Sequence, residues 1–418
     1  MPIFSKVIEQ CMKMQLSRYF EHNNVLNMSQ YGFRTGLSTI KAVESVVSEI
    51  IRGFESRSYT CVTLVDLSKA FDSVSHDILA SKLQFYGIQS NELNLIKSYL
   101  TNRHQIVKIM NVKSEELIIQ TGVPQGSVLG PFLFVVYMND LPSCLPHKSV
   151  LYADDTTFIT NAENTKSLQE KNEEMIIASS SWFLHNELTL NAAKTVALYF
   201  NLNHENANDS NIESVKLLGI YMDAKLNWNR HTDEMCKKLA RVLYLLRKLK
   251  TSVGEDLLIS AYYAFFHPHL LYGNLFWGNS KGALNVFKWQ KKAVRCIKGV
   301  SDRVSCKKLY SEYKIMTVPS IFVYQSLMYV KENYAQITRR TDIHDYNTRQ
   351  KDNMDTPYVR LSKTQHSYRY CGVKYFNLLP SFIRDMNQKR FDSYIKNMLK
   401  NSCLYSVGEF ETYLRDHY

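Results

Sequence analysis

Two stretches of the sequence place acidic side chains directly against apolar, strand-like runs. Asp154 and Asp155 stand side by side in VLYADDTTFI. Asp66 follows the apolar run VTLV in TLVDLSKAFDSV. Successive side chains of a strand leave on opposite faces, so the two adjacent acids predict a strand, a tight two-Asp turn and a second strand. Aspartate is a common turn residue, and the pair alone is also compatible with an ordinary turn.

Carboxylates at the ends of two neighbouring strands have a specific chemical use. They bind hard divalent cations through oxygen, and two such cations about 4 Å apart stabilise the attacking and leaving oxygens of a phosphoryl transfer. Asp66, Asp154 and Asp155 therefore predict a magnesium-dependent site for nucleotidyl transfer. Asp72 and Asp77 lie on or beside the helix that follows, a position typical of capping or surface acids.

The elements around these acids mix strands with helices. Between residues 60 and 200 the pattern predicts strands in CVTLVDL, SVLYADDTTFIT and TVALYF, and a hairpin of NRHQIVKI with SEELIIQ. It predicts helices in HDILASKLQFYG, GSVLGPFLFVVYMNDL and LQEKNEEMIIASSSWFLHN, after an amphipathic helix at 40–51. VKLLGIYM returns to strands, and after Asp223 the strands stop. We predict an α+β fold with a mixed or antiparallel sheet and packed helices.

The basic charge is concentrated in one segment. The 418 residues carry a net charge of +12, and residues 221–310 hold 17 Lys and Arg against six acids. Two predicted helices there carry basic stripes, Lys237, Lys238, Arg241 and Lys248 on the first and Lys288, Lys291, Arg295 and Lys298 on the second. Such stripes with few acids indicate contact with a polyanion; a merely solvated face is the alternative.

Composition argues against secretion and against a membrane. The eight cysteines form no CxxC pair and no Cys/His cluster at zinc spacing, which is typical of reduced thiols in the nucleus or cytoplasm. The first residues lack the pattern of a secretory signal. The 24 residues 257–280 carry no Lys, Arg, Asp or Glu, but their histidines and proline are costly in lipid. We predict a buried helical hairpin there.

Five segments occur in the chain order of the palm motifs of reverse transcriptases: LVDLSKAFDSV, GVPQGSVLGPFLF, LYADD, LTLNAAKT and VKLLGIYMD. With SQYGFRTGLST upstream and PHLLYGNLFWG and YFNLLPSFIR downstream, the sequence resembles the reverse transcriptases of non-LTR, LINE-type retrotransposons. The resemblance implies the right-hand polymerase fold. It implies partial fingers at 1–59, a catalytic palm at 60–222, a basic helical thumb at 223–330 and a C-terminal region of unknown role at 331–418.

The resemblance also implies a role for individual residues. Asp66 and Asp154 would hold two Mg²⁺ ions, with Mn²⁺ as an alternative, and Asp155 would support them. Lys194 would donate a proton to the leaving pyrophosphate. The implied nucleotide-binding residues are Arg34, Phe71, Gln125 and Gly126, of which Phe71 would exclude ribonucleotides unless it is a plain core aromatic. The implied nucleic-acid contacts are Gly219, Lys237, Arg241, Lys248, Lys288, Lys291 and Arg295.

The implied partners are an RNA template, a DNA primer and deoxynucleoside triphosphates, without a membrane. In relatives a Lys and an Arg-Pro-Ile element precede MPIFSKVIE, and an endonuclease lies further upstream. We therefore expect a truncated chain that polymerises weakly or not at all by itself. A non-catalytic nucleic-acid-binding remnant is the alternative from another class, and a group II intron-type maturase, disfavoured by PHLLYGNLFWG, is a third.

Overall fold

The computed structural model describes residues 3–202, 212–343 and 353–418. The chain divides into two compact units, Met1–Leu218 and Gly219–Tyr418. We describe each unit by itself.

The first unit combines a small antiparallel sheet with helices. Its helices are α1 Ile3–His22, α2 Thr39–Glu55, α3 His76–Phe85, α4 Ser90–Leu100, α5 Gly130–Tyr137 and α6 Thr165–His185. Its strands are β1 Tyr59–Val65, β2 Leu67–Ser68, β3 Arg103–Gln105, β4 Lys108–Ile109, β5 Val112–Lys113, β6 Leu117–Ile119, β7 Lys148–Tyr152, β8 Asp155–Ala162, β9 Thr189–Leu190, β10 Val196–Phe200 and β11 Ser214–Leu217. The α+β class is confirmed.

The main sheet has the strand order β10-β1-β8-β7, with antiparallel neighbours throughout. Strand β1 is central and nearly fully buried, which explains why CVTLV is a continuous apolar run rather than an alternating one. Helix α5, predicted from GSVLGPFLFVVYMNDL, is buried at every residue except Pro131. It belongs to the core that also contains Phe20, Leu83 and Phe183.

The β7–β8 hairpin differs from the prediction by one residue. The turn consists of Ala153 and Asp154, while Asp155 is the first residue of β8 and pairs with Tyr152. Tight two-residue hairpin turns need a residue with positive φ, and Ala153 takes that conformation at 58°. The predicted two-Asp turn is therefore wrong, because only one of the two acids lies in the turn.

The second unit is mostly helical in its described part. It contains strand β12 Ile220–Asp223 and helices α7 Asn229–Leu249, α8 Glu255–Ala261, α9 His267–Leu271, α10 Asn274–Trp277, α11 Ala283–Lys298, α12 Lys307–Glu312, α13 Val318–Glu332, α14 Ser362–Gln365, α15 Tyr368–Leu378, α16 Ser381–Arg384, α17 Gln388–Ser402 and α18 Glu409–His417. Helix α13 crosses the boundary predicted at 330/331. The compact unit continues beyond that boundary to Tyr418.

The uncharged segment 257–280 forms helices that turn at Gly273. A π-helical turn, Tyr262–Phe266, joins α8 to α9, and Tyr262, Leu270 and Trp277 are fully buried. None of the helices in the described ranges is long and apolar enough to cross a membrane.

Candidate active site

The strand register brings Asp66 beside Asp155. Val65, the last residue of β1, pairs with Thr156 of β8, so the next residue along β1 lies next to Asp155 across the two strands. Directly opposed residues of antiparallel strands have Cβ atoms about 4.5–5.5 Å apart. Both acids line a cavity of about 330 Å³ whose other walls come from β1, β8, β10, β11 and Lys194. Asp154 stands at the adjacent hairpin turn and does not line this cavity.

The three carboxylates repel one another. Burial raises the pKa of the Asp155 carboxyl above its ordinary value, and the negative charges of Asp154 and Asp66 raise it further. A site that holds anions this close without a cation is strained electrostatically. The geometry does not rank Asp154 over Asp155 as the partner of Asp66, and the implied roles of the three acids stay predictions.

Lys194 reaches the same acids. It ends a short 3-10 turn, Ala192–Lys194, and its Nζ lies 3.1 Å from Oδ2 of Asp66. The Asn191 side chain donates to that same oxygen at 3.3 Å, and the Asn191 backbone N–H donates to the Asp66 carbonyl at 2.9 Å. Asn191 therefore anchors the lysine turn to the end of β1, a connection that sequence reasoning missed.

The donor set suits a hard divalent cation. All three side chains offer carboxylate oxygens, the ligands that magnesium prefers, and a cation would relieve the repulsion that raises the Asp155 pKa. In the described part of the chain, no three acidic, histidine or cysteine side chains already converge as a metal cage. A site completed by substrate phosphates and water needs no such cage.

This repulsion predicts that Asp155→Asn stabilises the protein without metal. An acid whose pKa is raised by folding costs stability as the pH rises above its ordinary pKa, and the cost is complete above the raised pKa, where the folded state holds the ionised group unfavourably. The gain is present at neutral pH and vanishes below the ordinary pKa of 3.8. The melting temperature should rise by about 2–4 °C per kcal/mol of repulsion removed. Magnesium should stabilise the variant less than the wild type; a variant that melts no higher contradicts the proposed repulsion.

The loop after Gly122 packs against the segment that follows Asp66. Gln125 Nε2 donates to both Asp72 carboxylate oxygens, at 3.0 and 3.2 Å, so Asp72 fixes this loop rather than capping a helix. A Cβ on Gly122 would lie 2.8 Å from the Asp72 backbone. Gly122 therefore fixes the close packing of this loop on the segment after Asp66, and the nucleotide-binding role of Gly126 stays a prediction. Gly126 has open space around it, and its φ of +73° is what requires glycine.

Phe71 joins this loop to the core. Its ring stacks on Phe134 with centroids 4.4 Å apart, and its carbonyl accepts from Val123 N at 2.9 Å. The ring is only half-buried. This placement is compatible both with the core role and with a wall of the nucleotide site, so the ribonucleotide-excluding role stays a prediction.

The guanidinium of Arg34 is engaged elsewhere. Its Nε and Nη2 donate to the two carboxylate oxygens of Glu21 at 3.0 and 2.8 Å, and Nη1 donates to the Asn27 carbonyl at 2.8 Å. The Arg34 side chain is only 9% exposed. This geometry favours a role in bracing α1, and nucleotide binding by Arg34 stays a prediction.

Two residues of SQYGFRTGLST brace the carboxylate turn. Gln30 is buried, and its Oε1 accepts from the backbone N–H of Gly32 at 2.7 Å and of Ala153 at 3.2 Å. Gln30 also forms a parallel bridge to Leu151 of β7. A Cβ on Gly32 would lie 2.4 Å from Ala153 N. No spacing rule points to this contact, because it joins segments about 120 residues apart.

We expect Gln30→Leu to slow the reaction of this site. The change leaves two buried N–H groups unpaired, at about 1–3 kcal/mol for such a group, and frees the turn that carries Asp154. The rate should fall about tenfold or more, since small misplacements at a reacting centre are costly. Asn139→Leu is the matched control, because Asn139 makes similar hydrogen bonds outside the site. Its Oδ1 accepts from the Asn27 backbone N–H, and its Nδ2 donates to the Val25 carbonyl. Equal loss of rate in both variants contradicts a specific brace.

The two basic stripes of the second unit differ in what they contact. On α7, Lys237 pairs with Glu234, whereas Arg241 and Lys248 are exposed. On α11, Lys291 lies over the rings of Phe287 and Tyr405, and Arg295 Nε donates to the Val304 carbonyl. Lys298 pairs with Glu312, and Lys288 donates to Asn285. Intramolecular contacts therefore occupy much of the α11 stripe, and its role in nucleic-acid binding stays a prediction.

Comparison with known proteins adds a family match. The profile described as "Reverse transcriptase (RNA-dependent DNA polymerase)" matches residues 1–222, more than half of the chain. Proteins of Drosophila melanogaster are similar to this chain over a longer part of its sequence than residues 1–222. The "Probable RNA-directed DNA polymerase from transposon BS" is 28% identical over 343 residues, covering 75% of this chain. The corresponding protein of transposon X-element is 28% identical over 338 residues, covering 76% of this chain.

The "RNA-directed DNA polymerase from mobile element jockey" of the same fly is 27% identical over 75% of this chain. The chain spans 37% of the length of each of these three relatives. Among solved structures, telomerase from Candida albicans aligns with a TM-score of 0.45 and 12% identity, over 75% of this chain and 59% of that chain.

Proposed function

The chain belongs to the reverse transcriptase (RNA-dependent DNA polymerase) family, and from this premise we propose that it is the RNA-directed DNA polymerase domain of a non-LTR retrotransposon protein. The reaction would add deoxynucleotides to the 3′-hydroxyl of a primer along an RNA template. The observation that carries the proposal is that Asp66 and Asp155, at the adjoining ends of the central strands β1 and β8, share one cavity beside Asp154 and Lys194.

Each group at these strand ends has a role in the proposed reaction. The carboxylates of Asp66, Asp154 and Asp155 would hold two Mg²⁺ ions. Bound there, magnesium would favour ionisation of the primer hydroxyl and offset charge on the leaving pyrophosphate. Lys194, held at the cavity by Asp66 and Asn191, would protonate that pyrophosphate. The Gln125 amide, oriented by Asp72, would fix the loop under the incoming nucleotide.

The wider assignments follow the same family. We propose that residues 60–222 are the palm, that 1–59 are fingers and that the basic helices of 223–330 are a thumb contacting backbone phosphates. The proposed location is the nucleus or cytoplasm, where template and primer are present. We expect slow addition by the chain alone, because Glu21 and Asn27 occupy the Arg34 guanidinium that would otherwise be available to a triphosphate.

The test is the binding of an RNA template annealed to a DNA primer that ends in a dideoxynucleotide. With magnesium, the matched triphosphate should tighten this complex at least tenfold, and a mismatched one should not. Duplex binding that never responds to triphosphate supports the alternative, a nucleic-acid-binding remnant without catalysis. The rate of nucleotide addition is measured separately, as the extension of an unblocked primer by one nucleotide.

The proposed thumb predicts unequal effects of its two stripes. Arg241→Met should weaken duplex binding and lower the slope of log affinity against log salt by about 1, because one phosphate contact is lost. Lys291→Met should change that slope less and lower the melting temperature more, since its ammonium packs on Phe287 and Tyr405. A larger salt effect from Lys291→Met reverses this assignment. Binding is measured by anisotropy between 50 and 300 mM salt.

A further inference from the structure

A second surface of interest lies in the second unit, along one face of helix α17. It is a shallow depression of about 530 Å³ that is wide open to solvent. The lining residues are Met386, Lys389, Arg390, Ser393, Tyr394 and Asn397. None of them belongs to the family motifs or to the basic stripes already described. We call this surface the α17 groove.

Aromatic rings stand at the edge of the α17 groove. Phe382 of α16 meets the Tyr394 ring edge to face, with centroids 6.4 Å apart. Tyr418 lies 6.0 Å from Phe382, and its hydroxyl is 2.5 Å from the Tyr394 hydroxyl. Phe382 is 55% exposed and Tyr418 is 53% exposed. Large aromatic rings are unfavourable when exposed to water, and their flat faces are available for stacking with a ligand.

The charge of the groove has one sign. Lys389 and Arg390 are exposed, and neither has a carboxylate within ion-pair distance in the described ranges. Asp392 is the acid nearest in sequence on the same helix. It forms an ion pair with Lys396 at 2.8 Å and accepts a hydrogen bond from the Tyr324 hydroxyl. No acidic residue lines the groove. The groove therefore offers cations, amide and hydroxyl groups, and aromatic rings together.

We propose that the α17 groove binds single-stranded RNA, with one base stacked on the aromatic cluster and the adjoining phosphates held by Lys389 and Arg390. Stacking platforms beside positive charge are how proteins hold single strands without reading sequence. The aromatic rings would stack on an unpaired base, which a duplex does not present, and this distinguishes the groove from the exposed stripe of α7. The proposal deepens the proposed function, because it rests on an RNA template as the natural ligand.

Binding is measured on the full chain with a fluorescent 12-nucleotide oligouridylate, because uridine-only RNA forms no duplex. Tyr394→Leu should weaken binding about five- to tenfold without changing the salt slope, as expected for the loss of one stacked base. The double variant Lys389→Met/Arg390→Met should lower the salt slope by about 1.4, at about 0.7 for each phosphate on a single strand. The matched controls are Tyr358→Leu, on a ring 98% exposed elsewhere, and Lys108→Met/Lys113→Met, an exposed cross-strand pair of β4 and β5.

Photocrosslinking identifies the contact directly. The same RNA carrying 5-iodouridine should crosslink to Phe382, Tyr394 or Tyr418, and mass spectrometry locates the modified peptide. Crosslinks confined to α7 and α11, or salt slopes equal to those of the control variants, overturn the proposal. Displacement of the RNA by an equal charge concentration of polyglutamate overturns it as well, since the groove would then bind any polyanion and would not depend on a stacked base.

The experiments distinguish failure of the proposed polymerase function from failure of the proposed RNA site on the α17 groove. If the groove variants lose single-strand binding while the wild type shows no response to triphosphate on a template–primer, the proposed polymerase is wrong and the groove stands. If the triphosphate response is intact but the groove variants bind oligouridylate as the wild type does, only the groove is wrong.

Discussion

Replacing Asp66 by asparagine should lower the rate of single-nucleotide addition by at least about a thousandfold. Charge stabilisation by a bound metal is worth several kcal/mol, and about 4 kcal/mol corresponds to a factor of a thousand. Asp66 is also the partner of Lys194, so the variant loses that ion pair, while the backbone hydrogen bond from Asn191 to residue 66 remains. Affinity for the template–primer should change little, because the phosphate contacts proposed for α7 are untouched.

The matched control for this variant is Asp77→Asn. Asp77 is an exposed acid in the first turn of α3, in the same unit, and it lines no part of the carboxylate cavity. Its substitution removes the same charge and should leave the rate within about twofold. Equal rates for Asp66→Asn and the wild type, measured in single turnover, contradict the assignment of Asp66 to the site.

Gly32→Ala should have the second-largest effect, a loss of about a hundredfold in rate with template–primer affinity preserved. The added methyl would lie 2.4 Å from the backbone nitrogen of Ala153 and 3.1 Å from Gln30 Oε1. Backbone atoms cannot yield as a flexible side chain does, so the turn carrying Asp154 must shift. A displacement of about 1 Å at a reacting centre costs about a hundredfold in rate.

Gly254→Ala serves as the control, because its added Cβ would point into open space, with nothing within 4 Å beyond the adjoining residues of the chain. Thermal unfolding of both variants shows whether lost rate reflects lost fold. A Gly32→Ala enzyme that is folded and fully active shows that the turn does not depend on the SQYGF segment.

The sequence predicts the elements better than the contacts between them. The strands before Asp66 and around Asp154, the buried α5 and the basic α7 follow from periodicity and apolar runs, which are local. The position of Asp66 beside Asp155 depends on the β1–β8 register, which pairs residues about 90 positions apart. Alternation of side chains predicted a turn there, but the identity of its two residues depended on which one takes positive φ.

Several contacts around the site could not be predicted for related reasons. Gln30 is a polar residue whose significance appears only when its side chain meets Ala153. Arg34 was assigned by resemblance, while its bidentate contact with Glu21 depends on the path of α1. Gly122 and Gly126 are both glycines of one loop with positive φ, and only the structure shows that the first also lies against the Asp72 backbone while the second has open space around it.

The measurement that tests the central claim most directly is iron-catalysed cleavage at the metal site. Fe²⁺ substituted for magnesium, with ascorbate and peroxide, cuts the backbone beside the bound ion. We predict fragments ending near residues 66 and 153–156, suppressed by excess Mg²⁺ and lost in Asp66→Asn. Cleavage that avoids these positions, or that persists unchanged in Asp66→Asn, contradicts a divalent-cation site at these carboxylates.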